Sequence, residues 1–161
     1  MSSNANYEKK FVSNREALVK LMKFCAYQER TQNEARQKLF ELGIYGCDAE
    51  EIIVKLITEN FINEERYAKA YASGKFRQNK WGRVKIKAGL KAAGLSEYCI
   101  KKGLEQIDAD DYDVTLTKLI EAKANSMKGE KIFVKKQKIA QYLLGKGYEN
   151  DLIWETLNKI N

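Results

Sequence analysis

The residues best suited to chemistry in this sequence are the lysines and arginines between Asn63 and Lys102. This stretch holds eleven cations and three anions, whereas the whole chain of 161 residues has a net charge of +7. Such a concentration of one charge is typical of a surface that binds nucleic acid or an acidic protein surface. A solvated helix face without a ligand is the alternative. The candidate binding residues are Arg66, Lys69, Lys75, Arg77, Lys80, Trp81, Arg83, Lys87 and Lys91.

A second basic run occupies residues 123–138, where six lysines face only Glu130. Between the two runs, residues 103–122 hold six carboxylates and one lysine. This alternation indicates either two basic surfaces separated by an acidic joint, or electrostatic contacts between neighbouring parts of the fold. The second run adds Lys131, Lys135 and Lys138 to the candidate binding residues.

Three of the notable side chains have an alternative role inside the fold. Arg66 follows two glutamates, so it either binds a partner or forms an intramolecular ion pair. Trp81 lies in a basic turn, where it either stacks on an exposed base or packs as a lid over its own helices. Trp154 is expected to pack, because it stands beside Ile153 in an amphipathic segment.

Catalytic and metal-binding patterns are missing from the sequence. It contains no histidine, the commonest general base and the commonest transition-metal ligand. The acidic residues from Asp108 onward do not form an EF-hand loop, since its sixth and twelfth positions would be Asp113 and Leu119 rather than glycine and glutamate. We therefore expect no catalytic residue, no metal site and no cofactor, and we predict that the protein is not an enzyme.

Compartment and membrane association are predicted from the cysteines and the apolar runs. Cys25, Cys47 and Cys99 are odd in number and far apart, which favours free thiols in a reducing cytoplasm. No apolar run approaches the roughly 20 residues that cross a bilayer. The first eleven residues lack the apolar segment of a secretory signal. We expect a cytoplasmic protein with no membrane contact.

The elements that position the basic residues are predicted to be helices. The chain has no proline, and its apolar residues recur at helical spacing. Serine or threonine followed three residues later by glutamate forms a capping box, a sign of a helix start. Apolar spacing predicts that Val84 and Val114 face inward with their helical neighbours. The predicted helix starts are at Ser13, Thr31, Asp48, Asn63, Ser96, Asp110 or Asp111, and Asn150.

Three glycines reveal an internal repeat. Four residues before Gly43, Gly94 and Gly147 stands a leucine, and one residue after each stands an apolar residue. The spacing predicts an all-α fold of about nine helices, arranged as an elongated array of three tandem three-helix repeats. The predicted boundaries are a frayed segment at 1–12 and repeats at 13–61, 62–109 and 110–161.

These motifs resemble those of the RecX regulatory proteins. Residues 61–71, FINEERYAKAY, are similar to the family's signature of an apolar residue, an acidic pair, Arg-Phe-Ala and a later tyrosine. Residues 81–95 and 30–43 resemble its second-repeat and first-repeat patterns. Tyr67 replaces the commoner phenylalanine, and Asn63 with Glu64 stands where two aspartates are usual. The likeness covers residues 14–161, and in the last repeat it rests on apolar spacing alone.

The resemblance implies tandem three-helix repeats that bind RecA, lie along its nucleoprotein filament, and inhibit strand exchange and ATP hydrolysis. It also implies weak, sequence-tolerant binding to single- or double-stranded DNA, by a protein that we expect to be a monomer. The residues alone leave two alternatives open. One is a stand-alone DNA-binding protein of helix-turn-helix type, and the other is a helical scaffold without nucleic-acid contact.

Overall fold

The structure is a computed structural model that describes residues 12–160, so the segment predicted to fray lies almost wholly outside the described residues. Within 12–160 there are nine α-helices and no strand, which confirms the all-α prediction of tandem three-helix units. The helices are α1 (Asn14–Tyr27), α2 (Gln32–Glu41), α3 (Gly46–Thr58), α4 (Glu64–Asn79), α5 (Arg83–Ala92), α6 (Glu97–Leu104), α7 (Ala109–Asn125), α8 (Ile132–Lys146) and α9 (Asn150–Lys159).

Side-chain caps begin several helices where the sequence predicts them. Ser13 and Thr31 each form a capping box with the glutamate three residues later, at the starts of α1 and α2. The Ser96 hydroxyl accepts a hydrogen bond from the Cys99 N–H at 3.3 Å and caps α6. These contacts satisfy N–H groups that have no partner inside the helix.

Three predicted helix caps are wrong by one to three residues. α3 begins at Gly46, ahead of Asp48, and its N-cap Tyr45 makes no side-chain cap. α7 is capped by Asp108, whose carboxylate accepts from the Asp111 N–H at 2.9 Å, so Asp110 and Asp111 lie inside the helix. Asn150 is the first residue of α9 rather than its cap. Several polar residues adjoin each start, and the packing of the turn selects among them.

The three repeat glycines end their helices in the same conformation. Gly43, Gly94 and Gly147 have φ values of 82°, 83° and 91°, a left-handed backbone that glycine adopts without steric cost. The residue after each is buried and donates its N–H to the carbonyl five residues earlier, as in the bond from Tyr148 to Leu143 of 3.1 Å. This is a Schellman motif, and it turns the chain into the next helix.

The chain folds into two compact units that divide after Glu64. In unit 1, helices α1 to α3 surround a core that includes Leu21, Leu39, Ile53 and Leu56. In unit 2, α4 to α9 share one continuous core, so the second and third groups of three helices are not separate hydrophobic bodies. A unit of about fifty residues buries little apolar surface by itself. Six helices that share one core bury a larger fraction of their apolar surface.

The buried face of α7 corrects the predicted inward residues. Tyr112, Leu116 and Ile120 are spaced by four and are almost fully buried. Val114 lies two positions from Tyr112, about 200° around the helix, and is 51% exposed. Val84 on α5 is likewise 54% exposed, so both inward assignments are wrong. Within residues 12–160, no helix has the length and apolar character needed to cross a membrane.

Candidate functional site

The candidate site in unit 2 centres on the turn between α4 and α5. Lys80 has a φ of 56° and reverses the chain, and Trp81 follows it. The Trp81 ring is half-buried against the core of unit 2. The ammonium groups of Lys75 and Lys85 lie 4.8 and 4.3 Å from the centre of this ring, within the range of cation–π attraction. This geometry favours the lid interpretation of Trp81 and gathers two lysines around it.

A second turn, between α8 and α9, holds the first one in place. The Gly82 N–H donates to the Lys146 carbonyl at 2.8 Å, and the Val84 N–H donates to the Gly147 carbonyl at 2.9 Å. The Lys146 ammonium donates to the Asn79 carbonyl at 3.0 Å. Backbone hydrogen bonds thus join two turns that are more than sixty residues apart in sequence.

Glycine is required where the two turns meet. A Cβ atom at Gly82 would collide with the Gly147 carbonyl, and a Cβ atom at Gly147 would collide with the Lys85 backbone and side chain. The two backbones therefore touch directly, without side chains between them. This close approach fixes the position of the α4–α5 turn and of the basic residues that it carries.

Three side chains form a polar network beside the junction. Tyr112 donates its hydroxyl proton to Glu149 Oε2 at 2.6 Å and accepts the Arg83 N–H at 3.0 Å. Arg83 Nη1 lies 3.3 Å from Glu149 Oε1, and its guanidinium carbon lies 3.8 Å from the centre of the Tyr112 ring. The network ties together the first residue of α5, the first turn of α7 and the residue before α9.

The tyrosines at this junction are structural groups. Burial, together with the hydrogen bond to Glu149, raises the pKa of Tyr112 far above its usual value. Burial also raises the pKa of Tyr148 to about 12, and its hydroxyl donates to the Lys80 carbonyl at 2.9 Å. Both phenols are therefore neutral at ordinary pH, and their role is to hold the two turns together.

Several predicted binding residues have an ion-pair partner within the fold. Arg83 meets Glu149, as described above, and Arg66 also interacts within the fold. The other pairs are Lys69 with Glu65 at 2.9 Å, Lys91 with Glu97 at 3.6 Å and Lys138 with Glu130 at 2.7 Å. These three lysine side chains are 40 to 54% exposed, and exposed pairs contribute only about 0–1 kcal/mol. A polyanion can therefore compete for these lysines, whereas Arg83 is held by several contacts at once.

Five predicted binding residues have neither an ion-pair partner nor an aromatic ring contact within residues 12–160, whereas Lys75 lacks an ion pair but lies against the rings of Tyr71 and Trp81. Two lie at the end of α4 and in the turn after it, one lies on α5, and two lie at the start of α8. Their charges are not neutralised by the part of the fold that the structure describes. These residues are Arg77, Lys80, Lys87, Lys131 and Lys135.

The structure also shows functional candidates that sequence reasoning missed. The ammonium group of Lys85 lies against the Trp81 ring, as that of Lys75 does, and the ammonium group of Lys146 donates a hydrogen bond to the Asn79 carbonyl. Gly147 lies in the junction and Tyr112 and Glu149 lie in the network beside it, and of these three only Gly147 carried a sequence signal, as a predicted helix stop. At the start of α8, Ile132 and Phe133 are 67% and 71% exposed beside the unpaired Lys131. The sequence around Ile132 and Phe133, including Gly129 and Glu130 before them, did not indicate whether the two side chains would be buried or exposed.

No cluster of metal-binding side chains occurs among the described residues. The acidic group at the start of α7 includes a residue with a structural role, because Asp108 caps that helix. What the geometry defines is an all-α protein of tandem three-helix units, with unpaired cations on the surface of unit 2 and a hydrogen-bonded junction between two of its turns. Such a surface is suited to binding a polyanion or an acidic protein.

Comparison with known proteins identifies the family. Residues 63–104 match the second three-helix domain of RecX, and residues 110–157 match the third. Together these matches cover more than half of the chain, which therefore belongs to the RecX family. The resemblance inferred from the motifs is confirmed.

Individual relatives agree with this assignment. The regulatory protein RecX of Clostridium perfringens strain SM101 is 36% identical over 124 residues, which cover 76% of this chain and 58% of that protein. RecX of Clostridium acetobutylicum is 33% identical over 136 residues, covering 81% and 62%. The chain thus spans less than two thirds of these relatives. The crystal structure of RecX from Lactobacillus salivarius superposes with a TM-score of 0.84 at 27% identity, covering 91% of this chain and 96% of that one.

Proposed function

We propose that this protein regulates the recombinase RecA by binding the RecA nucleoprotein filament and inhibiting ATP hydrolysis and strand exchange. The observation that carries the proposal is the set of unneutralised cations on unit 2, within the two domains that match RecX. The relatives are named regulatory proteins, in keeping with a binding rather than a catalytic role. No cofactor is needed for this function, and its place of action is the cytoplasm.

The division of charge supports unit 2 as the part that meets the filament. Residues 65–160 contain twenty cations and twelve anions, whereas residues 12–64 contain seven cations and nine anions. Phosphates and acidic protein surfaces attract residues 65–160, which have an excess of cations, and not residues 12–64, which have an excess of anions. Binding to DNA alone would be weak, salt-sensitive and tolerant of sequence, because phosphate contacts carry no base information.

The mechanism follows from the rigid support of the basic turns. A RecA filament must change conformation as it hydrolyses ATP. A monomer that contacts neighbouring subunits and the DNA between them opposes this change, provided that its own surface does not deform. The hydrogen-bonded junction of the two turns supplies that stiffness in unit 2.

The proposal is tested by the DNA-stimulated ATPase of RecA. Adding the protein should lower the rate in a dose-dependent way, and the variant Arg77→Gln, Lys80→Gln, Lys131→Gln should require several-fold more protein for the same inhibition. Arg83 is left intact because its loss would disrupt the network with Tyr112 and Glu149. A rate that stays constant at saturating protein would refute the proposal.

A matched control removes the same charge from unit 1. Lys20, Lys23 and Lys55 are exposed and form no ion pair among the described residues. Their combined change to glutamine should leave inhibition within about twofold of the parent, because the proposal assigns the contacts with the filament to the cations of unit 2, which stay intact. Binding to bare duplex DNA, compared with binding to RecA–DNA, separates this function from a stand-alone helix-turn-helix protein, which would bind specific duplex sequences without RecA.

A further inference from the structure

A cleft of about 380 Å³ lies between α5 and α6 in unit 2. Arg83 and Lys87 line it from α5, and Lys101 and Leu104 line it from α6, with Ile107 beyond the end of that helix. Its apolar lining is aliphatic, and no aromatic ring contributes to it. The cleft combines aliphatic side chains with basic ones; Trp81 does not line it, and Arg83 is its one lining residue that also belongs to the network with Tyr112 and Glu149.

The charges around this cleft are unevenly balanced. Its two carboxylates are already paired, Glu97 with Lys91 at 3.6 Å and Glu105 with Lys102 at 3.3 Å. Arg83 is held by Glu149. Lys87 and Lys101 are both exposed and have no ion pair within the described part of the chain. Two cations on opposite walls therefore lack a counter-charge.

The first repeat shows what fills the equivalent place there. Arg36 stands seven residues before Gly43, as Lys87 stands seven residues before Gly94. In unit 1, Glu50 accepts two hydrogen bonds from Arg36, at 2.7 and 3.2 Å, and this contact lowers the pKa of the Glu50 carboxyl. In repeat 2 no carboxylate of the described chain meets the corresponding cation. Repeat 2 also has a carboxylate in its cleft, Glu97, but this pairs with Lys91 at 3.6 Å and leaves Lys87 without a partner.

We propose that the α5–α6 cleft binds a short acidic segment of a partner protein. Carboxylates of that segment pair with Lys87 and Lys101, and one of its aliphatic side chains packs on Leu104 and Ile107. Nucleic acid fits this site less well, because bases stack on aromatic rings and a phosphate backbone gains nothing from an aliphatic floor. The proposal deepens the proposed function, on which it rests for the identity of the partner, since it assigns one basic surface to protein rather than to DNA.

Methyl NMR on the full chain tests the site directly, with labelled isoleucine and leucine methyl groups. The probe is a short peptide of glutamate and leucine, and a DNA oligonucleotide of equal charge is titrated in parallel at the same salt. The methyl signals of Ile100, Leu104 and Ile107 should shift with the peptide and not with the oligonucleotide. The double variant Lys87→Gln, Lys101→Gln should weaken peptide binding about fivefold, because two partly exposed ion pairs are lost.

The control is Lys118→Gln, an exposed lysine on α7 that does not line the cleft. It should leave peptide affinity within about twofold of the parent. Equal shifts of the three methyl groups with the oligonucleotide would overturn the proposal, as would an equal loss of affinity in the control variant. If the peptide occupies the cleft but the protein does not affect RecA, the proposed function fails and the cleft assignment stands. If RecA is inhibited and the peptide shifts none of these signals, the cleft assignment fails and the proposed function stands.

Discussion

At the scale of single residues, the structure separates cations that serve the fold from cations that remain available. Arg83 carries a charge like its neighbours, but it stacks on Tyr112 and pairs with Glu149. Lys87, one turn further along α5, has no such partner within residues 12–160. A partly buried group with several simultaneous contacts is costly to release, whereas an exposed lysine is not.

The hydroxyl of Tyr112 is predicted to matter for stability. Tyr112→Phe removes the donor to Glu149 and the acceptor of the Arg83 N–H while keeping the buried ring. The free energy of unfolding should fall by about 1–3 kcal/mol, because buried polar groups lose a partner. Urea denaturation followed by circular dichroism measures this. The same change at Tyr98, which is 60% exposed, should have almost no effect.

At the scale of elements, the fold depends on turns as much as on helices. Gly43, Gly94 and Gly147 each end a helix with a left-handed φ, and Gly147 additionally touches the turn that contains Gly82. Local sequence explains the first role, since glycine adopts this conformation without cost. The second role arises because six helices enclose one core and bring their turns together.

Substitution of the junction glycines is predicted to be severe. In Gly82→Ala the new methyl group meets the Gly147 carbonyl, and in Gly147→Ala it meets Lys85. Each change should destabilise the protein by about 1–3 kcal/mol or more, since backbone atoms must move. Thermal unfolding should register both losses.

Gly74 in α4 provides the matched control for these substitutions. A Cβ atom at Gly74 has no neighbour within 4 Å. Gly74→Ala should therefore stabilise the helix by about 0.5–1 kcal/mol. Equal destabilisation by all three alanine variants would contradict the close approach of the two turns.

At the scale of the whole molecule, charge is divided between the two units. Unit 2 is strongly cationic, and the described part of unit 1 has a small excess of carboxylates. If unit 2 alone contacts DNA phosphates, the salt dependence of DNA binding reports on its lysines and arginines and is insensitive to those of unit 1.

This gives a quantitative expectation for single-stranded DNA. The logarithm of the binding constant should fall linearly with the logarithm of salt concentration. Replacing Arg77, Lys80 and Lys131 by glutamine should reduce the slope by about 2, because each lost phosphate contact contributes about 0.7. Fluorescence anisotropy over a salt series measures the slope. An unchanged slope would mean that these side chains do not touch phosphate, and the unit 1 variant of Lys20, Lys23 and Lys55 should keep the parent's slope.

The sequence by itself determined the features that depend on neighbours within a few residues. Apolar spacing, the capping boxes at Ser13 and Thr31, and the glycines at helix ends all act over distances of one or two helical turns. The basic clusters and the likeness to RecX likewise depend only on short stretches of sequence. For these reasons the helical class, the repeat and the family could be predicted.

The tertiary structure alone decided which charges remain unpaired and which faces are buried. Arg83 and Glu149 are 66 residues apart, and no local pattern relates them. Val114 was predicted to be buried because it is apolar, but the stripe headed by Tyr112 occupies the inner face of α7. Contacts between distant segments depend on how six helices fill one core, and that packing is settled by the summed shapes of side chains rather than by any short stretch of sequence.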